Sequence, residues 1–351
     1  MYGSRIPVAT ITAMPPDGTP TTKRATILDV AAAAGVSRQT VTRAMNDMGD
    51  INAVTKQRVL DVSTRLGYRP SRFARSLVVR HKTRALGLIV ASFRNPYFTE
   101  IAGDMLTAAA ARGLQVVIAS SESGDEIGAL RLLSNQVDVF VGHIALPEAE
   151  LIEIVGGIPV VLLESPCTLP GVHCVEVDIR AGMQDAIEQL RRKGARTIGM
   201  IDSGYSLRFS STYVPSPRRG YFEELAGGDL DGAIVVGEES MAGGGRAFTE
   251  LMQARPDIDT VLVFNDVMAI GAVQASHVLG IAVPQQVRIV GIDGLALGEA
   301  VTPTLTTLSI DRQALVSNAL DIVDELDAAH FAKTASIRRV TLPRMLWRES
   351  A

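Results

Sequence analysis

The chain has 351 residues, a formal net charge of −4 and 47% hydrophobic residues. This length predicts two or three domains, each with enough apolar side chains for a core. No apolar run reaches the roughly 18 residues that a transmembrane helix needs, so no membrane span is predicted. Cys167 and Cys174 lack partners at metal-ligand spacing, which predicts ordinary thiols, no metal site and a cytoplasmic protein.

Positive charge is concentrated near the start of the chain. Lys23 to Arg84 holds 13 Lys and Arg against 4 Asp and Glu, a net +9, and a total of −4 leaves −13 for the rest. A basic module joined to an acidic body is typical of a nucleic-acid-binding head on a regulatory body. Chance clustering on solvated helix faces is the alternative. Residues 1–22, rich in Pro, Thr and Gly, are predicted to be a disordered arm rather than a signal peptide.

The basic segment has the apolar spacing of three short helices. Thr26 can cap the first, Ile27 to Ala34, and Gly35 supplies a turn that suits a residue without Cβ. Ser37 can cap a second helix that runs to about Met45. This arrangement predicts a helix-turn-helix, with a generic three-helix bundle as the alternative.

Outward-facing polar side chains are predicted on the second helix. In a helix-turn-helix this helix enters the major groove of DNA and its N-terminal side chains meet base edges. Arg and Gln pair bidentately with guanine and adenine, so the segment predicts sequence-specific binding to duplex DNA. The side chains are Arg38, Gln39, Thr42 and Arg43.

A third helix and a linker follow. Asn52 can cap a helix from Ala53 to Leu66, and Pro70 marks the end of the head. Arg72 to Val79 is predicted to be a hinge helix too short to be stable alone, whose Leu77 could wedge into a minor-groove step; an ordinary linker is the alternative. The predicted packing side of the third helix is Val54, Val59, Val62 and Leu66.

From Ala85 onward, strands alternate with helices. A helix is predicted at Phe98 to Arg112. Repeated βα units predict parallel sheets in two similar lobes, so the predicted fold class is α/β with a three-helix head. The predicted domains are the arm 1–22, the head 23–70, the hinge 71–84 and the two-lobed body 85–351. Strands are predicted at residues 85–91, 114–119, 137–141, 159–163, 197–201, 260–264 and 287–292.

Polar and aromatic side chains follow several predicted strands. Ligand sites of parallel sheets form at the carboxyl ends of the strands. Carboxylates and amides suit a polyhydroxylated ligand, and aromatic rings can cover its apolar face. For each residue, a loop cap or a lobe-bridging hydrogen bond is the alternative. The candidates are Phe93, Arg94, Asn95, Tyr97, Glu164, Asn265 and Asp293.

A series of short motifs runs in order along the chain: Ala34-Gly35-Val36-Ser37, Leu66-Gly67-Tyr68, Asn95-Pro96-Tyr97-Phe98, Asn265-Asp266 and Arg348-Glu349-Ser350. In these motifs, and over nearly its whole length from Thr26, the chain resembles the LacI (lactose-repressor) family of bacterial transcription factors. The resemblance implies a homodimer or tetramer bound to pseudo-palindromic operator DNA. It also implies a periplasmic-binding-protein-like body in which the chain crosses between the lobes three times.

The resemblance further implies a repressor that is located in the cytoplasm, or on the nucleoid when bound to DNA. A small effector, a sugar or sugar derivative, would bind between the lobes and change operator affinity. Glu164, Asn265 and Asp293 stand where family members usually contact the effector, and no cofactor is implied. The implied DNA-binding residues are Thr26, Ser37, Arg38, Gln39, Thr42, Arg43, Asn46, Tyr68, Arg72, Ala74 and Leu77.

Several residues depart from the family pattern at the effector pocket. Pro217 stands where many members have an effector-binding Arg, so Arg218 could take that role only if the loop shifts. Glu239 stands where some sugar-binding members have an aromatic residue, and Gly294 replaces a polar one. The effector could therefore be unlike the usual sugars, or absent.

The sequence disfavours an enzyme. It has no phosphate loop, nucleophile elbow or paired-His zinc motif. The run Gly243 to Gly245 lacks a nucleotide-binding pattern and is predicted to be a flexible or helix-start glycine run. His81 and His143 have no partner nearby in the sequence. A sugar-binding protein without a regulatory role is the other alternative, which the basic head disfavours.

Overall fold

The structure, a computed structural model, describes residues 26–45, 51–66, 84–208, 212–227, 230–329 and 335–351. The described residues form two compact units, one within residues 1–81 and the other within residues 82–351. The predicted α/β class with a helical head is confirmed. The arm, the hinge helix and the candidate DNA contacts Asn46, Tyr68, Arg72, Ala74 and Leu77 lie outside the described residues.

The head contains α1 (Ile27–Ala34), α2 (Arg38–Met45) and α3 (Ala53–Arg65). Gly35 ends α1 at φ 65°, in the left-handed region that glycine adopts without a steric penalty. It thereby turns the chain into α2, as the sequence predicts.

The three predicted helix caps are present in the head. The side chain of Thr26 accepts a hydrogen bond from the amide of Asp29 at 3.4 Å, and Asp29 bonds back to the amide of Thr26 at 2.7 Å. Ser37 Oγ accepts from the Thr40 amide at 3.1 Å. Asn52 Oδ1 accepts from the amide of the second helical residue at 2.9 Å. Each cap satisfies a backbone N–H that the helix itself leaves unpaired.

The packing side of α3 differs from the prediction at both ends. Val59 and Val62 are buried as predicted, but Val54 is 77% exposed and Leu66 is 38% exposed. Val54 lies five residues before Val59, which turns it about 140° away from the buried face of a helix with 3.6 residues per turn. Leu66 lies beyond the last helical residue, and the buried position next to Val62 is occupied by Ser63.

The second unit alternates strands and helices. Its strands are β1 (Ala85–Val90), β2 (Gln115–Ser120), β3 (Val139–Gly142), β4 (Val160–Leu163), β5 (Val172–Val177), β6 (Ile198–Ser203), β7 (Ile234–Gly237), β8 (Thr260–Val263), β9 (Arg288–Asp293), β10 (Thr306–Ser309), β11 (Arg338–Thr341) and β12 (Arg344–Leu346). Its helices are α4 (Pro96–Ala111), α5 (Glu126–Leu133), α6 (Glu148–Val155), α7 (Ile179–Arg192), α8 (Pro217–Ala226), α9 (Met241–Ala254), α10 (Asp266–Leu279) and α11 (Arg312–Ala328).

The strands form two sheets of like topology, one in each lobe. The first sheet has the order β2-β1-β3-β4-β5-β11 and the second has the order β7-β6-β8-β9-β10-β12. Neighbouring strands are parallel except for the β10–β12 pair. The seven predicted strands are all present within two residues of their predicted bounds. In both sheets the third strand in chain order lies on the other side of the first, which creates the switch point where α/β proteins bind ligands.

The chain crosses between the lobes three times, after β5, after β10 and after β11, as the family resemblance implies. Arg312 lies at the second crossing. Its guanidinium forms an ion pair with Glu100 of α4 in the first lobe and donates to the carbonyl oxygen of Gly294 in the second lobe at 3.4 Å. This side chain therefore connects the two lobes directly.

Among the described residues, no helix is long and apolar enough to cross a membrane. No group of three or more His, Cys, Asp or Glu there could hold a metal ion.

Candidate functional site

The outer face of α2 presents the side chains that the sequence predicts for base contact. Arg38, Gln39 and Arg43 are exposed, while Val41 and Ala44 on the opposite side are buried in the core of the head. Thr42 is half-buried, and its hydroxyl donates to the carbonyl oxygen of Arg38 at 3.1 Å. The arrangement exposes two guanidinium groups and one amide on the helix that meets base edges in a helix-turn-helix.

A cavity of about 230 Å³ lies between the two lobes, at the carboxyl ends of their strands. The first lobe contributes residues that follow β1, β3 and β4, and the second contributes residues that follow β6, β7, β8 and β9. The lining includes Ser92, Arg94, Asn95, Tyr97, Phe98, His143, Glu164, Tyr205, Arg218, Glu239, Phe264, Asn265 and Asp293.

A hydrogen-bonded network forms the first-lobe wall of this cavity. Glu164 accepts a hydrogen bond from the hydroxyl of Tyr97, and its Oε1 lies 2.8 Å from His143 Nε2. Burial would raise the pKa of the Glu164 carboxyl, but the attraction of His143 and the hydrogen bonds together lower it. Burial, followed by the neighbouring Glu164 charge, raises the pKa of Tyr97 well above its ordinary value. Glu164 is thus held as a carboxylate beside a neutral phenol.

Arg218 forms part of the opposite wall. Its guanidinium donates to the carbonyl oxygen of Phe264, stacks 4.5 Å from the centre of the Phe264 ring and lies 3.9 Å from Asp293. Pro217 is the first residue of α8, with Ser216 as its cap, so the arginine projects from the first turn of that helix. Arg218 therefore reaches the cavity even though Pro217 occupies the usual arginine position.

Asp293 lies at the end of β9 with its side chain buried against the cavity. Its residue is 2% exposed, and its Oδ2 atom has no hydrogen-bond partner. Burial raises the pKa of this carboxyl well above its ordinary value, the nearby Arg218 lowers it, and the carboxylates of Asp266, Glu164 and Glu239 raise it further. A buried polar atom without a hydrogen-bond partner is costly, and a bound ligand could supply that partner.

Two carboxylate residues that line the cavity have unusual backbone geometry. Glu164 has φ 61° and Asp293 has φ 134°, both in the region that favours glycine. Of the residues that the structure describes, only one other non-glycine residue, Arg84, has positive φ. Backbone strain of this kind costs of order 1–3 kcal/mol per residue and concentrates at functional sites. The fold therefore contains backbone strain at both residues whose carboxyl groups line this cavity.

The remaining predicted effector residues have different surroundings. Phe93 is 47% exposed and does not line the cavity, and Arg94 lies at its mouth with an ion pair to Glu122. Asn95 Oδ1 accepts from the amide of Tyr97 at 3.0 Å, and Asn265 Oδ1 accepts from a helix amide at 2.9 Å. The two asparagines cap α4 and α10. The side-chain oxygen of each is therefore engaged as a cap, which was the alternative to a ligand contact.

Seven lining residues were not predicted as effector contacts: Ala91, Ser92, Phe98, His143, Tyr205, Glu239 and Phe264. His143 follows β3, Tyr205 follows β6 and Glu239 follows β7. The rule that placed Glu164 and Asp293, a polar residue directly after a strand, applies equally to His143. The sequence showed no local partner for His143, whereas the fold brings it to Glu164 across 21 positions.

The raised pKa of Asp293 predicts how stability depends on pH. Between the ordinary carboxyl pKa of about 3.9 and the raised value, the native state holds a proton that the unfolded state releases. Stability therefore falls as pH rises through that window. We expect Asp293→Asn, which cannot ionise, to gain stability relative to the parent protein between pH 4 and pH 8. Denaturant unfolding of the ligand-free proteins measures this difference, and a difference that is constant or opposite in sign would contradict the assignment.

Two family models match the chain. The model described as "Bacterial regulatory proteins, lacI family" matches residues 26–71, and the model described as "Periplasmic binding protein-like domain" matches residues 187–351. The first covers the described head helices, and the second covers most of the second lobe. Both parts of the predicted architecture are thereby confirmed.

Known proteins resemble the chain over most of its length. The ribose operon repressor of Halalkalibacterium halodurans is 31% identical over 292 residues, which cover 81% of this chain and 84% of the repressor. The HTH-type transcriptional regulator GalR of Salmonella typhimurium is 29% identical over 335 residues, which cover 93% of this chain and 96% of GalR.

Solved structures agree with this fold. A complex of the transcriptional regulator CelR with cellobiose matches with a TM-score of 0.65 and 26% identity, over 93% of this chain and 100% of that one. The lac repressor dimer bound to operator and the anti-inducer ONPF matches in fold, with a TM-score of 0.69 and 22% identity, over 93% and 99% of the two chains. These relatives are regulators by name, not enzymes. The chain belongs to the lacI family of bacterial regulatory proteins.

Proposed function

We propose that this protein is a transcriptional repressor that binds a pseudo-palindromic operator as a homodimer and changes its operator affinity when a small polar ligand binds between its lobes. The observation that carries the proposal is the pairing of two features in one chain. One is a basic head with Arg38, Gln39 and Arg43 exposed on α2, and the other is an interlobe cavity with the unsatisfied carboxylate of Asp293. The protein would act in the cytoplasm, on the nucleoid when bound.

The ligand would act by stabilising one arrangement of the lobes. Tyr97 and Glu164 belong to the first lobe, whereas Arg218 and Asp293 belong to the second, so a ligand that bonds to both walls favours one lobe angle. It can shift the balance only by the difference in its affinity for the two arrangements. Related regulators support a sugar-like ligand, since CelR has been solved with cellobiose.

The DNA-binding half of the proposal is tested by selecting sequences from a random duplex pool with the purified full-length protein. We expect one enriched palindrome. Gln39→Ala should weaken binding to it by about 1–3 kcal/mol and relax the preference at one base pair per half-site, because an amide that pairs with a base edge is lost.

Gln57→Ala is the matched control for this experiment. Gln57 is an exposed glutamine on α3, outside the recognition helix, and its amide donates to Asp61 at 2.9 Å. This variant should select the parent palindrome. No enrichment by the parent protein would overturn the proposed function, and an unchanged base preference in Gln39→Ala would remove this residue from base reading.

A further inference from the structure

The cavity between the lobes is lined by both acidic and basic side chains, whose pairing differs. Three acidic side chains line it, those of Glu164, Glu239 and Asp293, together with His143 and the guanidinium groups of Arg218 and Arg94. Arg94 lies at the mouth, where it pairs with Glu122. Glu164 already contacts the hydroxyl of Tyr97 and, at 2.8 Å, Nε2 of His143, so the acidic side chains left with fewer partners are Glu239 and Asp293.

Neither of these carboxylates has a good cationic partner. Among the residues that the structure describes, no Lys or Arg forms an ion pair with Glu239, whose Oε1 accepts a hydrogen bond from Ser203 Oγ at 2.6 Å. Asp293 is 3.9 Å from Arg218, which is too long for a hydrogen bond, and its Oδ2 atom is buried without any donor. The two groups are close enough that Glu239 raises the pKa of Asp293. This wall of the cavity therefore has two acidic side chains, neither of which forms a hydrogen bond with a Lys or Arg of the described residues.

We infer that the ligand of this site carries a protonated amine beside hydroxyl groups, as an amino sugar does, and that the ammonium binds between Glu239 and Asp293. The inference rests on the proposed function and specifies the ligand of the same cavity. An ammonium has three donors and one positive charge, so it can satisfy the Asp293 Oδ2 atom and the Glu239 carboxylate together. Hydroxyl groups of the ligand would bond to Arg218 and to the network of Glu164.

The other lining residues agree with a small ring-shaped ligand. The cavity of about 230 Å³ is bordered by the aromatic rings of Phe98, Tyr205 and Phe264. Such rings can cover the apolar face of a sugar ring.

The test is isothermal titration of the full-length protein with matched sugars. The probes are glucosamine and galactosamine, their neutral parents glucose and galactose, and the two N-acetylated forms, whose nitrogen is uncharged. We expect at least one amino sugar to bind about tenfold more tightly than both its parent and its N-acetyl form, a difference of about 1.4 kcal/mol. Equal or tighter binding of the neutral sugars, or no binding of either amino sugar, would overturn the inference.

Glu239→Gln separates charge recognition from loss of folding. The variant keeps the shape of the side chain and should bring the ratio of amino-sugar to parent-sugar affinity close to one. Glu238→Gln is the control, because Glu238 is exposed and pairs with Arg246 at 3.0 Å outside the cavity lining, and the ratio should be unchanged. If Glu239→Gln keeps the full ratio, or Glu238→Gln loses it, the ammonium does not bind where we place it.

A second measurement uses the proton that Asp293 holds in the empty site. An ammonium beside Asp293 favours the ionised form of this carboxyl, whose pKa is set also by Arg218, Asp266, Glu164 and Glu239. Below the pKa of the ligand's own amine, binding should therefore release protons from Asp293 and become tighter as pH rises. Titrations in phosphate and Tris report proton release as a difference in apparent enthalpy.

If a neutral sugar binds and alters operator affinity, the ligand class is wrong but the proposed function stands. If no operator is selected, the function itself fails.

Discussion

Replacing Asp266 with Ala is expected to destabilise the protein by about 3–5 kcal/mol. The carboxylate is fully buried and accepts hydrogen bonds from the amides of Gly294 and Leu295 at 3.0 and 2.7 Å and from Thr307 Oγ1 at 2.7 Å. Alanine would remove the acceptor of all three donors, of which the Gly294 amide alone keeps another, Thr307 Oγ1 at 3.3 Å. Chemical unfolding of the parent and variant at the same protein concentration measures the loss.

Asp311→Ala is the control for this substitution. Asp311 is an exposed cap whose Oδ1 accepts from a single amide, that of Ala314, at 2.9 Å. Its loss should cost about 1 kcal/mol, the usual value of a helix cap. Equal losses in the two variants would show that burial and the number of donors do not set the stability contribution of Asp266.

The Asp266 network also has a functional consequence. The two amides that it holds belong to the residues that directly follow Asp293, whose backbone is strained at φ 134°. Removing the network releases the turn that aims Asp293 at the cavity. Where the Asp266→Ala protein still folds, we therefore expect its ligand affinity to fall together with its stability.

The head could be predicted almost completely from the sequence because its signals are local. Thr26, Ser37 and Asn52 each cap a helix within three residues of their own position, and Gly35 ends α1 by its own backbone geometry. The prediction for Val54 was wrong because this residue lies about 140° around the helix from the buried Val59.

The ligand site could be predicted only in part, because its contacts join distant segments. The rule of polar residues after strands found Glu164 and Asp293, whose side chains line the cavity. The same rule cannot show that Tyr97 and His143 converge on Glu164, since these contacts span 67 and 21 positions. The position of Arg218 depends on how Pro217 begins α8, which the family pattern left open.

Strands that are short, contain polar residues or lie at the edge of a sheet escaped prediction. β5, β7, β10, β11 and β12 were not predicted, and β11 and β12 have partly exposed residues rather than a buried apolar run. These two strands lie at the outer edges of their sheets and follow the second and third lobe crossings. An edge strand buries less of its surface, so it leaves a weaker hydrophobic pattern in the sequence.

The second large effect is expected at the contact between α9 and α10. Gly271 lies in the middle of α10, and a Cβ atom added there would overlap the backbone carbonyl of Met241, the first residue of α9. Gly244 makes the reciprocal close approach toward the backbone of Met268, so the run from Gly243 to Gly245 serves helix packing at the start of α9. The helix-start interpretation of this run is thereby confirmed.

We expect Gly271→Val to destabilise the protein by about 3 kcal/mol or more, because the overlapped atoms belong to a helix backbone and cannot turn aside as a side chain could. Gly220→Ala in α8 of the same lobe is the control, since Gly220 is exposed and an added Cβ meets nothing within 4 Å. Alanine there should be neutral or raise stability by about 0.5–1 kcal/mol through its better helix propensity. Thermal and denaturant unfolding of both variants decide the point. If the Gly271→Val protein is as stable as the parent, α9 and α10 can separate without a cost in free energy. The second lobe would then not be the rigid support of Asp293 and Arg218.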